Sequence, residues 1–324
     1  MIISRTPFRI SFAGGGTDLR AVYSEEPGMV LSTSINKYMF ISIHPYFFPE
    51  KTLIKYSRTE LVERIGDIQH PIVREVLKDF AVSGVDINSV ADIPSGTGLG
   101  SSSSFTVGLI LAVAVYAEKY ASKEFLANLA STIEIDRLHE PIGKQDQYAA
   151  AYGGLNFITF YPDERVAVEK VTLAPKYLRQ LEDNLLLFYT GDTRSAKDIL
   201  SEQKKNSESG KKKKNTARLA HLAKVLREEL GRNNIDAMGE ILHESWMYKK
   251  EMASKISNPR IDRFYSRAME AGASGGKLLG AGGGGFLLFY VPREKREEVK
   301  KALGELSEMN FEFDKSGSVI IYNN

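Results

Sequence analysis

The sequence contains no cysteine among its 324 residues. Disulfide bonds, thiolate metal sites and a cysteine nucleophile are therefore excluded, and a reducing, cytoplasmic location is expected. A long apolar run is also missing, because the stretch 105–117 is too short to span a bilayer and is interrupted by Gly108. It predicts a buried helix instead. The first residues lack the basic region and apolar core of a signal peptide, so none is expected.

An excess of charge of one sign is absent as well. The chain has 43 basic and 41 acidic residues, a formal charge of +2, which gives no reason to expect nucleic acid or a membrane as partner. The run Lys211–Lys214 has no interleaved aromatic residues, so a solvated loop or helix end is favoured over a nucleic-acid site. The sequence leaves the oligomeric state open, with a homodimer as one assembly that it allows.

Strand-like and helix-like patterns alternate along the chain, which indicates a mixed α/β or α+β fold. Strands are predicted at 2–13 and 29–44, and helices at 59–81, divided by Pro71, and at 122–139, with Ser122 as N-cap. A domain change is expected between 161 and 185. We divide the chain into an N-terminal domain of residues 1–175 and a C-terminal domain of residues 176–324.

The run PSGTGLGSSSS, Pro94 to Ser104, lies between a predicted strand and a predicted helix. Its glycines permit backbone angles that other residues avoid, and they allow close approach to a ligand. The serines fall on the first turn of the helix, where unpaired N–H groups and the helix dipole favour an anion. No lysine follows the last glycine, so this is not a Walker A loop. A phosphate-holding loop is favoured over a flexible turn.

Two further glycine runs lie far away in the chain. They are PFRISFAGGGTD, Pro7–Asp18, and KLLGAGGGGF, Lys277–Phe286. Such runs let one backbone pass close to another backbone or to a phosphate. Three runs in one chain suggest convergence on one polyanionic ligand. The residues alone therefore indicate an ATP-dependent kinase of a polar small molecule.

Together, in order and spread, these three segments resemble the motifs of the GHMP kinase superfamily, which includes galactokinase, homoserine kinase and mevalonate kinase. The resemblance covers nearly the whole chain. It implies two α+β domains, the first with a left-handed β-α-β crossover and the second ferredoxin-like, with ATP and Mg²⁺ as cofactors. For the second motif it implies these nucleotide-binding residues: Pro94, Gly96, Gly98, Leu99, Gly100, Ser101, Ser102, Ser103 and Ser104.

The sugar-kinase branch of the superfamily adds roles for single residues. Galactokinases carry a glutamate at a fixed distance before G-x-x-D-Q, and here Glu134 precedes GKQDQ. The resemblance implies that Asp146 is the catalytic carboxylate and that Glu134 holds Mg²⁺ with a motif-two serine. Ser102 is favoured for that serine, and Ser101 competes. Arg9 matches the basic residue of motif one, near the transferring phosphoryl group.

On the acceptor side, Asp18 matches the aspartate that binds sugar hydroxyls. Gly15 stands where galactokinases have a sugar-contacting glutamate, which argues against galactose. The implied substrate-binding residues are Gly15, Gly16, Thr17, Asp18, Asp146, Arg194, Lys197, Gly282 and Gly283.

A finer resemblance is to the D-glycero-D-manno-heptose 7-phosphate kinases, which make heptose 1,7-bisphosphate on the way to nucleotide-activated heptose. Five segments carry it: GGGTD, YSRTE at 56–60, IQHPIVREVL at 68–77, GKQDQYAAAYGG at 143–154 and TGDTRSA at 190–196. A phosphorylated acceptor needs a cationic pocket. Arg194 and Lys197, just after the predicted strand that ends at Tyr189, are candidates. Arginine suits a phosphate because its guanidinium can donate two parallel hydrogen bonds. A surface position competes for both, and His44 and Lys37 are unranked alternatives.

Each assignment has a structural alternative. Asp146 could be a helix cap, and Asp18 could cap the helix that follows it. Glu134 could be a solvated helix residue, and Arg9 could pair with a carboxylate within a sheet. Two other functions compete: a kinase of another sugar, such as fucose or an amino sugar, and a catalytically inactive ligand sensor. A GTP switch is disfavoured without a Walker lysine.

Overall fold

The computed structural model describes residues 1–191, 199, 201–202 and 210–324. Within this part of the chain the larger sheet has eight strands, in the order β12-β1-β2-β5-β3-β4, with β6 and β7 continuing from β2. Its strands are β1 Ile2–Ala13, β2 Gly28–Pro45, β3 Thr52–Lys55, β4 Thr59–Val62, β5 Val85–Ala91, β6 Leu155–Phe160, β7 Val166–Lys170 and β12 Val319–Asn323. Strands β3 and β5 are parallel neighbours, joined through β4 and a helix.

The helices that accompany this sheet include one whose residues 103–114 are all buried. They are α1 Arg20–Tyr23, α2 Pro71–Phe80, α3 Ser101–Tyr116, α4 Lys123–Ser131 and α5 Gln145–Tyr152. Helix α3 is apolar on all sides after its serines, and such a helix is stable only in a core. Its Gly108 carbonyl accepts a bond of 2.8 Å from Ser4 Oγ on β1, so the helix lies directly against the sheet.

The second sheet has the strand order β11-β8-β10-β9 and is antiparallel throughout. Its strands are β8 Leu185–Tyr189, β9 Gly275–Leu278, β10 Phe286–Tyr290 and β11 Ser307–Glu308. The accompanying helices are α6 Pro175–Asn184, α7 Gly210–Gly231, α8 Ala237–Lys250, α9 Pro259–Glu270 and α10 Arg296–Ala302. Numbered from β8, the order is 4-1-3-2, the arrangement of a ferredoxin-like domain. The predicted α+β class is therefore confirmed.

The predicted helix over 59–81 is wrong in its first half. Residues 59–62 form β4, paired with β3, and a helix begins at Pro71, as predicted. The carboxylate of Glu60 explains the difference, because it accepts the backbone N–H groups of Gln69 and His70 and fixes a turn there. In the predicted helix over 122–139, Ser122 is the N-cap, accepting from Phe125 N at 3.1 Å. The α-helix ends at Ser131 and continues as a π-helical turn, Thr132–Arg137.

One apolar core runs across the predicted domain boundary at 175/176. Leu173 and Leu181, on either side, are both buried in it. Strand β12, near the C-terminus, pairs with β1 in the larger sheet. The boundary itself stays a prediction. Within the described residues, no helix combines the length and apolarity needed to cross a membrane. Lys213 of the lysine run forms an ion pair with Glu25.

Candidate active site

A cavity of about 380 Å³ lies where the three glycine runs come together. The runs enter from different elements: the first after β1, the second before α3 and the third between β9 and β10. The residues predicted from sequence that line the cavity are Arg9, Gly15, Gly16, Asp18, Gly96, Gly98, Gly100, Ser101, Ser102, Ser103, Asp146 and Gly282. The structure thus places the candidate nucleotide-binding, catalytic and acceptor-binding residues around one space.

The second and third glycine runs touch backbone to backbone. Gly98 has φ +84°, and a Cβ atom there would lie 2.6 Å from the carbonyl oxygen of Leu279. A Cβ atom on Gly280 would in turn lie 2.4 Å from the Cα atom of Gly98. No side chain fits between the two loops, so glycine is required on both. This contact closes the wall of the cavity.

The start of α3 presents free amides to the cavity. The first intrahelical bond joins Ser104 N–H to the Gly100 carbonyl at 3.0 Å. Within the described residues, the amides of Ser101, Ser102 and Ser103 therefore remain available for an anion. The Ser104 hydroxyl faces away from the cavity and donates to the Pro7 carbonyl at 2.9 Å. Ser104 fixes the helix to β1 through its side chain and has no free amide.

Glu134 lies behind these serines, on the π-helical turn. Its carboxylate accepts from Ser102 Oγ at 2.8 Å, Ser103 Oγ at 2.9 Å and Gln147 Nε2 at 2.6 Å. The residue is only 1% exposed, which excludes the solvated alternative. Burial raises the pKa of Glu134, and the hydrogen bonds oppose that shift. The π-helical turn is common at functional sites and places this carboxylate in the serine cluster.

The donor set of Ser102 and Glu134 fits Mg²⁺. Both side chains offer hard oxygen atoms, and the two oxygens are 2.8 Å apart. Neighbouring oxygens around an octahedral Mg²⁺ ion are separated by about 2.9 Å. Ser102 lines the cavity, and Glu134 supplies the negative charge behind it. Among the described residues no cluster of three or more histidine, aspartate or glutamate side chains is placed to hold a metal. A Mg²⁺ ion held by Ser102 and Glu134 would therefore need further oxygen ligands, such as water and phosphate oxygens.

Arg9 and Asp146 form a two-point ion pair in the cavity wall. Arg9 Nε donates to Asp146 Oδ1 at 2.7 Å, and Nη2 donates to Oδ2 at 2.8 Å. The remaining guanidinium nitrogen donates to the Gly98 carbonyl at 2.6 Å. The Arg9 side chain is 6% exposed, whereas that of Asp146 is 22% exposed. Asp146 thus keeps a face open to a ligand. It lies inside α5, after the N-cap position, so the capping alternative does not apply.

Asp18 reaches across to the start of α5. Its carboxylate accepts from Gly16 N at 2.9 Å and from Gln145 N and Nε2, both at 3.2 Å. It therefore caps α5, which begins 127 residues later, and not the following helix α1. Burial raises the pKa of Asp18, and the negative charge of Asp146 adds to the effect.

Comparison with known proteins identifies the family. The model of the GHMP kinases N-terminal domain matches residues 64–154, and that of the GHMP kinases C-terminal domain matches residues 226–308. A D-glycero-alpha-D-manno-heptose 7-phosphate kinase from Campylobacter jejuni is 34% identical over 98% of this chain and 97% of its own length. The chain belongs to the GHMP kinase family. It is an ATP-dependent phosphotransferase with an alcohol group as acceptor.

Other GHMP kinases resemble this one more distantly. A bifunctional fucokinase/GDP-fucose pyrophosphorylase from Arabidopsis thaliana is 28% identical over 94% of this chain, which spans 31% of that protein. A crystal structure of a D-glycero-D-manno-heptose 1-phosphate kinase from Bacteriodes thetaiotaomicron superimposes with a TM-score of 0.82 over 100% of both chains. At 23% identity, that likeness supports the fold alone.

Several predicted residues of this GHMP kinase lie outside the cavity lining. Thr17 is buried and exchanges hydrogen bonds with the backbone of Met29. Leu99 is buried, and its carbonyl accepts the N–H of Arg9 at 3.0 Å. Pro94 is exposed at the start of its loop, and Gly283 N–H bonds to the Ile256 carbonyl at 3.0 Å. These residues position the loops.

The predicted phosphate ligands Arg194 and Lys197 lie outside the described residues. Lys37 and His44 are on β2 and do not line this cavity, and the imidazole of His44 is 3.7 Å from Asp86.

Sequence reasoning missed two lysines of the cavity wall, Lys249 at the end of α8 and Lys277 in β9. Lys277 gave a signal, because it is a charged residue on a buried strand at the start of the third glycine run. Lys249 gave none, since it stands in YKKE and matches an ordinary solvated helix end. Sequence reasoning also missed the amides of Gln145 and Gln147, which hydrogen-bond to Asp18 and Glu134 respectively.

Proposed function

We propose that this kinase phosphorylates the anomeric (C1) hydroxyl of D-glycero-D-manno-heptose 7-phosphate. The products are the 1,7-bisphosphate, an intermediate toward nucleotide-activated heptose, and ADP. The similarity to the Campylobacter jejuni enzyme along nearly the full length of both chains supports the choice of sugar. The observation that carries the proposal is the place of Asp146: a carboxylate held by Arg9, with one face open to the cavity and with Asp18 nearby.

Asp146 suits the activation of an acceptor hydroxyl. Its two oxygens each accept one bond from Arg9 and keep a further lone pair for the substrate. The acceptor oxygen forms a bond to the γ-phosphorus of ATP, the bond to the bridging oxygen of ADP breaks, and the acceptor proton passes to the carboxylate. An anomeric hydroxyl is more acidic than an ordinary alcohol, so a carboxylate is an adequate base. Such assistance is worth roughly 10²–10⁴ in rate.

Phosphoryl transfer depends mainly on positioning and on neutralising charge. The free amides at the start of α3 and the glycine loop bind the phosphates of ATP. Arg9, held between Asp146 and the Gly98 carbonyl, contributes positive charge beside the transferring group. Ser102 and Glu134 would hold Mg²⁺, which neutralises phosphate charge when bound.

The acceptor binds on the side of the first glycine run. Gly15 and Gly16 leave room for a sugar there, and Asp18 offers carboxylate oxygens to its hydroxyl groups. Burial and the negative charge of Asp146 raise the pKa of Asp18, so its carboxylate is more basic than that of an ordinary aspartate. A cytoplasmic location and a homodimer stay predictions.

A panel of acceptors tests the proposal. ADP release is measured with D-glycero-D-manno-heptose 7-phosphate, the same heptose without phosphate, fucose, mannose and N-acetylgalactosamine. The expected result is the highest kcat/KM for the heptose phosphate, with phosphorus NMR showing a new phosphate coupled to the anomeric proton. A higher kcat/KM for fucose or the amino sugar would replace the heptose assignment, and absence of turnover with every sugar would favour a ligand sensor.

A further inference from the structure

Lys249 and Lys277 line the cavity but have no role in the transfer steps above. Lys249 is 6% exposed and Lys277 is 3% exposed. Within residues 1–191, 199, 201–202 and 210–324, neither ammonium lies within 4.0 Å of a carboxylate. In that same part of the chain each donates to one carbonyl only: Lys277 to Phe12 at 3.0 Å, and Lys249 to Gly280. Buried ammonium groups without a counter-ion are costly, which points to an anionic ligand.

The two lysines line the same cavity, and the positive charge of Lys249 acts on Lys277. Burial lowers the pKa of Lys277 well below its ordinary value, and the positive charges of Lys249 and Arg9 lower it further. Burial likewise lowers the pKa of Lys249 to about 8, with Arg9 adding to the effect and Asp18 and Asp146 opposing it. A dianion between the lysines would reverse these shifts, because it stabilises both charged forms.

Two observations favour the acceptor side. Lys277 bonds to Phe12, within the first glycine run that ends at Asp18. The negative charges of Asp18 and Asp146 act on Lys249. The free amides for the donor phosphates lie elsewhere, at the start of α3. Arg9 is already engaged by Asp146 and the Gly98 carbonyl. Among the described residues of the cavity lining, the lysine pair is therefore the uncommitted positive charge.

We propose that Lys249 and Lys277 bind the phosphate group that the acceptor already carries. The inference rests on the proposed function insofar as that acceptor is a phosphomonoester. Two compact ammonium groups match the two negative charges of such a group. In the absence of a phosphate the same pair has no counter-ion, so the site selects phosphorylated over unphosphorylated sugars.

The first test compares Lys277→Gln and Lys249→Gln with Lys250→Gln. Glutamine keeps a donor for the Phe12 or Gly280 carbonyl but removes the charge. Lys250 is the matched control, because it follows Lys249 in the same helix and lies outside the cavity lining, near Asp262. The measured quantity is the ratio of kcat/KM for the heptose 7-phosphate to that for the unphosphorylated heptose. Because each cavity variant loses a charged hydrogen bond to phosphate, we expect this ratio to fall about 30-fold in each of them. An unchanged ratio overturns the inference.

A second test does not depend on the identity of the sugar. Inorganic phosphate is titrated calorimetrically into the protein saturated with a non-hydrolysable ATP analogue and Mg²⁺, so that the donor site is filled. The wild-type protein and Lys250→Gln are expected to bind one phosphate, and both cavity variants at least about 10-fold more weakly. Absence of phosphate binding to the wild type overturns the inference. A loss of affinity for the ATP analogue with unchanged phosphate binding also overturns it, because the lysines would then serve the donor.

Failure of the proposed function has a different signature. If the wild type does not turn over the heptose phosphate, the choice of sugar is wrong, and the phosphate titration alone decides the role of the lysines. If it prefers the heptose phosphate and the variants keep that preference, the lysine assignment is wrong. A glutamine variant that does not fold is replaced by methionine, since removing an unpaired buried charge in favour of an apolar group is tolerated.

Discussion

Arg9 and Asp146 are 137 residues apart in sequence, and two hydrogen bonds of 2.7 and 2.8 Å join their side chains in the cavity wall. The same guanidinium bonds to Gly98, and the N–H of Arg9 bonds to Leu99. One residue of β1 thus connects the phosphate loop to the first turn of α5. The proposed catalytic carboxylate and the glycine loop proposed to hold ATP are positioned relative to each other through this arginine.

Replacing Asp146 by asparagine is expected to reduce kcat by about 10²–10⁴-fold, because asparagine cannot accept the proton of the acceptor hydroxyl. The amide oxygen still accepts one bond from Arg9, so a loss of only about 1–2 kcal/mol in the free energy of unfolding is expected. ATP affinity should be retained. Steady-state kinetics, thermal unfolding and calorimetry with ATP separate these effects.

Asp163→Asn is the control for this change, since Asp163 forms an exposed ion pair with Arg165 away from the cavity. It is expected to keep full turnover. Near-normal turnover of the Asp146 variant would remove that residue from the mechanism.

Local sequence predicted the loops of the site well and its long-range partners poorly. The glycine runs and Ser122 carry their conformation in their own residue types, so strand, turn and cap were predictable. The capping of α5 by Asp18 was not predictable, because its partner Gln145 is distant in sequence and only the fold brings them together. Lys249 was hidden for the same reason, because its hydrogen-bond partner Gly280 and the charges that act on it, Asp18 and Asp146, are distant in sequence.

Glu134→Ala is expected to shift the Mg²⁺ dependence of ATP binding to higher concentrations. It removes the negative charge behind Ser102 and leaves three donors, on Ser102, Ser103 and Gln147, without their acceptor. A destabilisation of about 1–3 kcal/mol is expected as well. The midpoint of a Mg²⁺ titration of nucleotide binding is the measurement, and Glu140→Ala, a carboxylate in the cavity lining, is the comparison. A midpoint that does not move would contradict the metal assignment.

Gly98→Ala is expected to weaken ATP binding by forcing the second and third glycine runs apart. The new Cβ atom would lie 2.6 Å from the Leu279 carbonyl, and φ is +84°. Gly154→Ala is the matched control, because it has φ +86° with no atom within 4 Å of the added Cβ. Both variants bear the cost of a left-handed alanine, about 1 kcal/mol. Any loss of stability and any rise in KM for ATP that Gly98→Ala shows beyond Gly154→Ala therefore measure the effect of the clash. Equal stability and equal KM in the two variants would show that the loop contact is unimportant.

Lys249 makes the stability of the ligand-free protein depend on pH. Its pKa is about 8 in the folded protein, against the ordinary lysine value of 10.5 that applies to the unfolded chain, so the unfolded chain binds more protons between these values. Stability therefore rises with pH from about 8 to about 10.5, by up to about 3 kcal/mol. The facing charges are Arg9, Asp18, Asp146 and Lys277. Lys249→Met should remove this contribution, leaving the rise that the lowered pKa of Lys277 produces, and it should be more stable than wild type below pH 8. Urea unfolding of both proteins at pH 7, 8, 9 and 10, with Lys250→Met as control, measures the difference. If the free energies of unfolding of wild type and Lys249→Met change in parallel with pH, Lys249 stays charged in the folded protein, and an anion must already neutralise it.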